Sequence, residues 1–194
     1  ERSFEDVRHY LLSIPPPAWP FDPPDPAHVD AGRGVFDARC ASCHGTYGGP
    51  GASYPDRVVD VSTDPVRHTR LGADEVDWIN RGWFGEPPMQ DADGYLAPPL
   101  LGGWATAPYL HNGSVPDLRS LLRPTERPPL WRRVSPSDDD YDPARVGVRY
   151  EEGTIGDPLT YDTQAPGLTA AGHERVAVSS VVELDALLAY LVTL

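Results

Sequence analysis

Five consecutive residues, Cys40-Ala41-Ser42-Cys43-His44, carry the strongest chemical signal in the chain. Two thiols flank two spacers and an imidazole follows at once, which is the pattern of covalent c-type haem attachment. The thiols add across two vinyl groups whose separation the porphyrin fixes, and the next residue brings its ring under the iron. On this pattern Cys40 and Cys43 are tethers and His44 is the proximal ligand. The same residues are open to a structural disulfide, a thioredoxin-like redox pair or half of a zinc site. A zinc site needs two more ligands in matched spacing, and no other cysteine exists. A redox pair belongs at the end of a βαβ strand, and no such pattern is visible.

Haem chemistry constrains the compartment. Both cysteines are consumed, leaving none for a disulfide, and c-type haem is installed outside the bacterial cytoplasm. A periplasmic or otherwise exported location is therefore expected. No apolar run is long enough to span a bilayer. The chain opens at Glu1 with no signal peptide, which reads as a processed protein or an excised piece of a larger one. Net charge is −13, and all 16 basic residues are arginine. That balance argues against nucleic acid or an anionic membrane as partner and favours a basic or neutral redox partner; it also serves plain solubility.

The length of 194 residues suits one domain with extensions. With 23 prolines and 18 glycines, much of it must be loop. A short amphipathic helix is expected over 3–14, capped by Ser3 and ended by Pro15-Pro16-Pro17. A stiff proline-rich connector follows, pinned by Trp19 and Phe21. Asp25 caps a second helix with Pro26 at its first position. There Gly32, Phe36 and Cys40 share one face, and Gly32 admits close approach of another helix. Further helices are expected over 73–81, closed by Gly82, and from Pro116 through Leu122. A last helix runs from Ser180, with Leu184, Leu187, Leu188 and Leu191 on one face. Residues 123–172 read as mostly loop, with a short extended piece where Val146, Val148 and Tyr150 alternate. The expected fold is mostly α and loop-rich, a cytochrome c-type fold around one covalent haem. Residues 1–24 form the helix and connector; 25–194 form the haem domain.

The haem motif, taken with the stretch Trp104-Ala105-Thr106-Ala107-Pro108-Tyr109-Leu110-His111-Asn112-Gly113-Ser114-Val115-Pro116, resembles the haem domains of the di-haem cytochrome c peroxidase superfamily. It looks most like the branch that contains the bacterial rubber oxygenases. Shorter pieces fit that branch too: Tyr54 to Val59, Thr63-Asp64-Pro65, Tyr141-Asp142-Pro143 with Val146-Gly147, Asp162-Thr163, and Ala171 to Glu174. So does the closing Leu187 to Leu191. The resemblance covers about residues 18–194. Those enzymes carry two haems, with catalysis at a haem in a separate domain, whereas this chain has one haem motif. It matches the electron-transferring haem domain better than the catalytic half, so the resemblance implies a fold and a haem site, not an oxygenase or peroxidase activity.

Three residues compete for the position opposite His44. Met89 follows the habit of many c-type cytochromes. His111 lies in the most distinctive stretch. His173 precedes the last helix, whose packing on the helix before Cys40 carries it toward the haem, and the resemblance points to the same glycine-histidine pair. His173 is the preferred sixth ligand, with Met89 and His111 as alternatives. Trp104 and Tyr109 are candidates to pack on the ring, Arg81 to pair with a propionate, and Trp83 and Tyr95 to wall the haem. The function expected is single-electron transfer through one haem c, passed to a redox partner protein or a fused redox domain. The alternatives are a haem peroxidase or oxygenase, and the electron-transfer domain of a larger multi-haem enzyme. Made in cells equipped to attach haem, the denatured, acid-extracted protein is expected to exceed the mass of the bare chain by one haem. Mass spectrometry checks this.

Overall fold

The computed structural model describes residues 2–49, 51–55, 57–67, 69–82, 94–137 and 140–194. Its elements run α1 (Arg2–Ser13), α2 (Pro26–Arg39), α3 (Ala41–His44), β1 (Val58–Val59), α4 (Ala73–Arg81) and β2 (Tyr95–Leu96). Then come α5 (Leu118–Leu122), β3 (Leu130–Arg133), β4 (Tyr141–Asp142), β5 (Gly147–Val148), β6 (Tyr150–Glu152), β7 (Tyr161–Asp162) and α6 (Val181–Leu191). Among the described residues no helix is long and apolar enough to cross a membrane.

The expectation of a mostly helical protein does not hold. Among the described residues helix accounts for 36% and strand for 12%, so the architecture is mixed and loop-rich. The strands build three small antiparallel sheets, β1–β2, β6–β3–β7 and β4–β5. Four of the five strands from β3 to β7 are two or three residues long, too short to reveal a period of two in sequence. What orders the stretch expected as loop is aromatic burial. Trp131 of β3 is buried, lies flat on Tyr161 of β7 at 5.1 Å between ring centres, and donates its indole N–H to the Ser114 carbonyl at 2.9 Å.

The helices conform more closely to the sequence. Asp25 Oδ1 accepts the Ala27 and His28 backbone N–H groups and opens α2, with Pro26 at its first position. Ser180 accepts the Glu183 N–H and opens α6, while the Glu183 carboxylate turns to Arg39 of α2 at 3.3 Å. α1 begins at Arg2, so Ser3 lies inside its first turn and does not cap it. The apolar side chains of α1, including Val7, Leu11 and Leu12, are exposed.

The core lies where α2 crosses α6. Phe36, Leu184 and Leu187 are fully buried and Tyr190 nearly so, each stabilising the fold by about 2 kcal/mol through removal of apolar surface from water. Phe36 packs on Tyr190 and Tyr47 with ring centres 5.3 and 5.7 Å apart. Contact this close needs a residue without a side chain on α2: a Cβ at Gly32 would lie 1.9 Å from the Ala186 carbonyl oxygen. Gly34, two residues on, faces open space. Gly32→Ala is expected to destabilise the protein by about 3 kcal/mol through overpacking, whereas Gly34→Ala is expected to stabilise it by about 0.5 kcal/mol through helix propensity. Thermal unfolding of the two variants against the parent protein separates these effects.

Candidate haem site

Cys40 follows α2, and its amide closes the last turn on the Phe36 carbonyl at 2.8 Å. The haem motif is thus seated on the core by the same helix that crosses α6, and Cys40 and Ala41 pack against that core. Both thiols are free. Burial, above all, pushes the Cys40 thiol up to about 11, so it carries no charge. α3 winds one turn and stops at Gly45, whose φ of 84° suits glycine and whose Cβ position lies 2.1 Å from the Ser53 carbonyl oxygen.

Two hydrogen bonds orient His44. Its Nδ1 lies 2.9 Å from the Pro98 carbonyl, an acceptor with no proton to give, so Nδ1 carries a hydrogen and donates it there. Tyr47 donates to the His44 carbonyl at 2.8 Å and accepts the Leu100 N–H at 2.7 Å. The Pro98 to Leu100 segment therefore grips the residue at ring and backbone together. This is the arrangement by which a backbone carbonyl fixes the tautomer of a ligating histidine.

The ring opposite His44 is His173. The two ring centres are 6.4 Å apart and their planes differ by 18°. Two metal–nitrogen bonds of about 2 Å, with about 1.2 Å from each bonding nitrogen to its ring centre, span about 6 Å. The residues therefore fit an iron bonded to one nitrogen of each ring. Burial, with the charges of His44 and Arg127 added, drives the His173 imidazole down to about 4, opposed by Glu174, so the ring is neutral. Its Nδ1 is the one buried side-chain polar atom without a hydrogen-bond partner among the described residues. Such atoms are rare in native structures. This one is what a histidine ring displays when its partner lies outside the polypeptide. Among the described residues no three His, Cys, Asp or Glu side chains converge. A bare metal ion thus finds no ready ligand shell there, whereas a haem, which brings its own ring nitrogens, would need only the two imidazoles from the protein.

His173 is held by the 61–66 segment: its N–H donates to the Val61 carbonyl at 3.0 Å. Buried Asp64 ties the 61–66 segment to residues 167–169, accepting from the Val66, Gly167 and Thr169 N–H groups and the Thr169 hydroxyl. Burial alone would raise this carboxyl, and those four bonds outweigh it and hold it below its ordinary value. From the other side Asn112 donates to the Gly167 and Thr169 carbonyls, and Ser114 to that of Thr169.

The distinctive stretch from Trp104 to Pro116 is therefore a brace for the loop that leads to His173. Its other members bond to protein. Tyr109 is buried and donates to the Trp104 and Val146 carbonyls. Trp104 donates to the Pro17 carbonyl at 3.1 Å and packs edge-on to Trp19. His111 stacks on Tyr95 at 4.3 Å, with Nε2 3.2 Å from the Tyr95 hydroxyl. Arg81 pairs with Asp77 on its own helix at the surface. Met89 and Trp83 lie outside the described residues. Sequence reasoning gives no part in the site to Tyr47, Pro98 or Arg127, and meets Asp64 only in the family-like piece Thr63-Asp64-Pro65. Tyr47, three residues after His44, can be found as an aromatic hydroxyl one turn beyond the haem motif; Pro98 and Arg127 carry no local signal.

Comparison with known proteins gives a consistent result. A family model described as "RoxA-like, cytochrome c-like" matches residues 94–132, the segment that contains the brace. An uncharacterised protein of Sinorhizobium fredii, y4iM, is 31% identical over 201 residues, which cover 87% of this chain and 46% of that protein. A second, y4iJ from the same organism, is 45% identical over 82 residues, 41% of this chain and 13% of that protein. The chain thus spans less than half the length of the curated relatives it matches. It contains a cytochrome c-like region.

Tyr47→Phe leaves a carbonyl and an N–H unpaired beneath the haem motif. A loss of about 2 kcal/mol is expected from the unpaired buried groups, measured by denaturant unfolding of the haem-loaded protein.

Proposed function

We propose that this chain is a c-type cytochrome moving single electrons through one haem, tethered by Cys40 and Cys43 and ligated by His44 and His173. The observation that carries this reading is the 6.4 Å separation of those two imidazoles, one of them immediately after the cysteine pair. When bound, the haem supplies an iron that alternates between Fe(III) and Fe(II). The polypeptide presents two imidazole rings, fixes them, and backs the site with the α2–α6 core. Were His44 and His173 both to hold the iron, they would leave no place for peroxide or dioxygen to bind, which favours an electron carrier over an oxidising enzyme. The cytochrome c-like match over 94–132 supports the same reading.

The partner is a basic or neutral redox protein, in keeping with the net charge of −13, or a redox domain fused to this one. The fused arrangement is the second reading. In it, residues 25–194 are the electron-transferring haem domain of a larger enzyme of the di-haem cytochrome c peroxidase superfamily, in its rubber oxygenase-like branch. Residues 1–24 lead into that domain. The greater length of both relatives supports this. The compartment is the periplasm or another exported location, where haem is joined to cysteine.

Low-temperature electron paramagnetic resonance of the oxidised, haem-loaded protein tests the ligand set. A low-spin spectrum of the two-imidazole type is expected. His173→Ala is expected to turn it high-spin, and Met89→Leu to leave it as it was. A His173→Ala protein with the parent spectrum rules the assignment out.

A further inference from the structure

His173 adopts a left-handed backbone conformation, φ 65°, directly after Gly172 at φ 118°. A residue with a side chain holds that conformation at a cost and keeps it where the surroundings impose it. The Gly172 position is tight as well, since a Cβ there would meet Thr63 Cγ2 at 2.3 Å. The bonds that impose this turn converge on Arg127.

The Arg127 side chain is only 7% exposed, unlike most arginines of the chain. Its guanidinium donates to the Ser120 carbonyl at 3.2 Å and the Leu121 carbonyl at 2.8 Å, both in α5. The remaining donors go to the His173 turn: to the Ala170 carbonyl, to the Gly172 carbonyl at 2.7 Å, and to the Glu174 carboxylate at 3.1 Å. Glu174 closes the ring by accepting the Gly172 N–H at 2.9 and 3.0 Å with its two oxygens. The residues on both sides of His173 are thus fastened to a single buried cation, and that cation is fastened to a helix. A planar five-donor fork is needed to reach four carbonyls and a carboxylate together; a lysine ammonium has three donors at one point.

We propose that Arg127 is the positioning residue for the sixth iron ligand: by clamping Gly172 and Glu174 it holds His173 at ligation distance and sets how readily that ligand lets go. The inference rests on the His44/His173 reading of the site. An iron with two imidazoles accepts an external ligand only after one imidazole leaves. The rate of cyanide binding at saturating cyanide therefore reads the release of His173, which a general loss of stability does not set.

The experiment uses haem-loaded Arg127→Ala, Arg127→Lys and His173→Ala beside the parent protein. Arg127→Ala is expected to bind cyanide at least about tenfold faster, the factor that loss of one charge-assisted hydrogen bond gives. It is also expected to gain a high-spin resonance component that added imidazole returns to low spin. That rescue identifies a displaced ligand. Arg127→Lys is expected to fall between. Parent-like cyanide kinetics and resonance in both arginine variants overturn the proposal. If Arg127→Ala does not accumulate with haem, Arg127→Lys and Glu174→Gln carry the test, and parent-like kinetics in both overturn it. Should His173→Ala keep the parent spectrum, the ligand reading itself fails, an outcome distinct from failure of the arginine's role.

Discussion

The close approach of α2 and α6 is the constraint on which the rest depends. One end of α2 carries the cysteine pair and His44, and the loop before α6 carries His173. Where the helices touch, the side chain of Gly32 is missing so that the Ala186 carbonyl can enter. A helix pair held apart by one methyl group would shift both segments that lead to the imidazoles. Tight packing converts a hydrophobic contact into a spacing, because a close-packed interior transmits displacement and does not absorb it.

From α2 the sequence declared almost everything. Asp25, Pro26, Gly32 and Phe36 each name a cap, a first helical position, a crossing point or a core residue, and each is found in that place. Ser180 does the same for α6. These signals are local and have a helical period. The second half of the chain hid its strands because they are mostly two or three residues long and held by Trp131 and the two tyrosines around it, contacts made across long stretches of sequence. The fold class was misjudged for that reason. The site was legible in part. The cysteine pair and its histidine are a local pattern, and the glycine-histidine pair was flagged as well. Of the groups that aim the rings, the Tyr47 hydroxyl bonds to a residue only three positions away, whereas the Pro98 carbonyl, buried Asp64 and buried Arg127 act through pairings between distant residues, which no local pattern reveals.

The stretch from Trp104 to Pro116 shows how many protein partners a distinctive sequence can serve. Its aromatic and histidine content invited placement on the haem, yet its hydrogen bonds run to residues 167 and 169 and to the connector at Pro17. Such a segment is constrained by many partners at once, and geometry rather than chemistry explains its composition. Asn112 supplies two donors at one point, Gly113 turns at φ 68°, and Tyr109 reaches two carbonyls from a buried place.

The same brace receives the start of the chain. Trp104 holds the Pro17 carbonyl, Phe21 lies on Tyr141 with ring centres 5.5 Å apart, and the amide of Gly102 holds the carbonyl of Leu194. Three successive prolines join this anchor to α1, and polyproline stretches little. The first helix is therefore a lever with a short stiff shaft. Tension applied to it is handed to the Trp104 turn, which holds the Pro17 carbonyl.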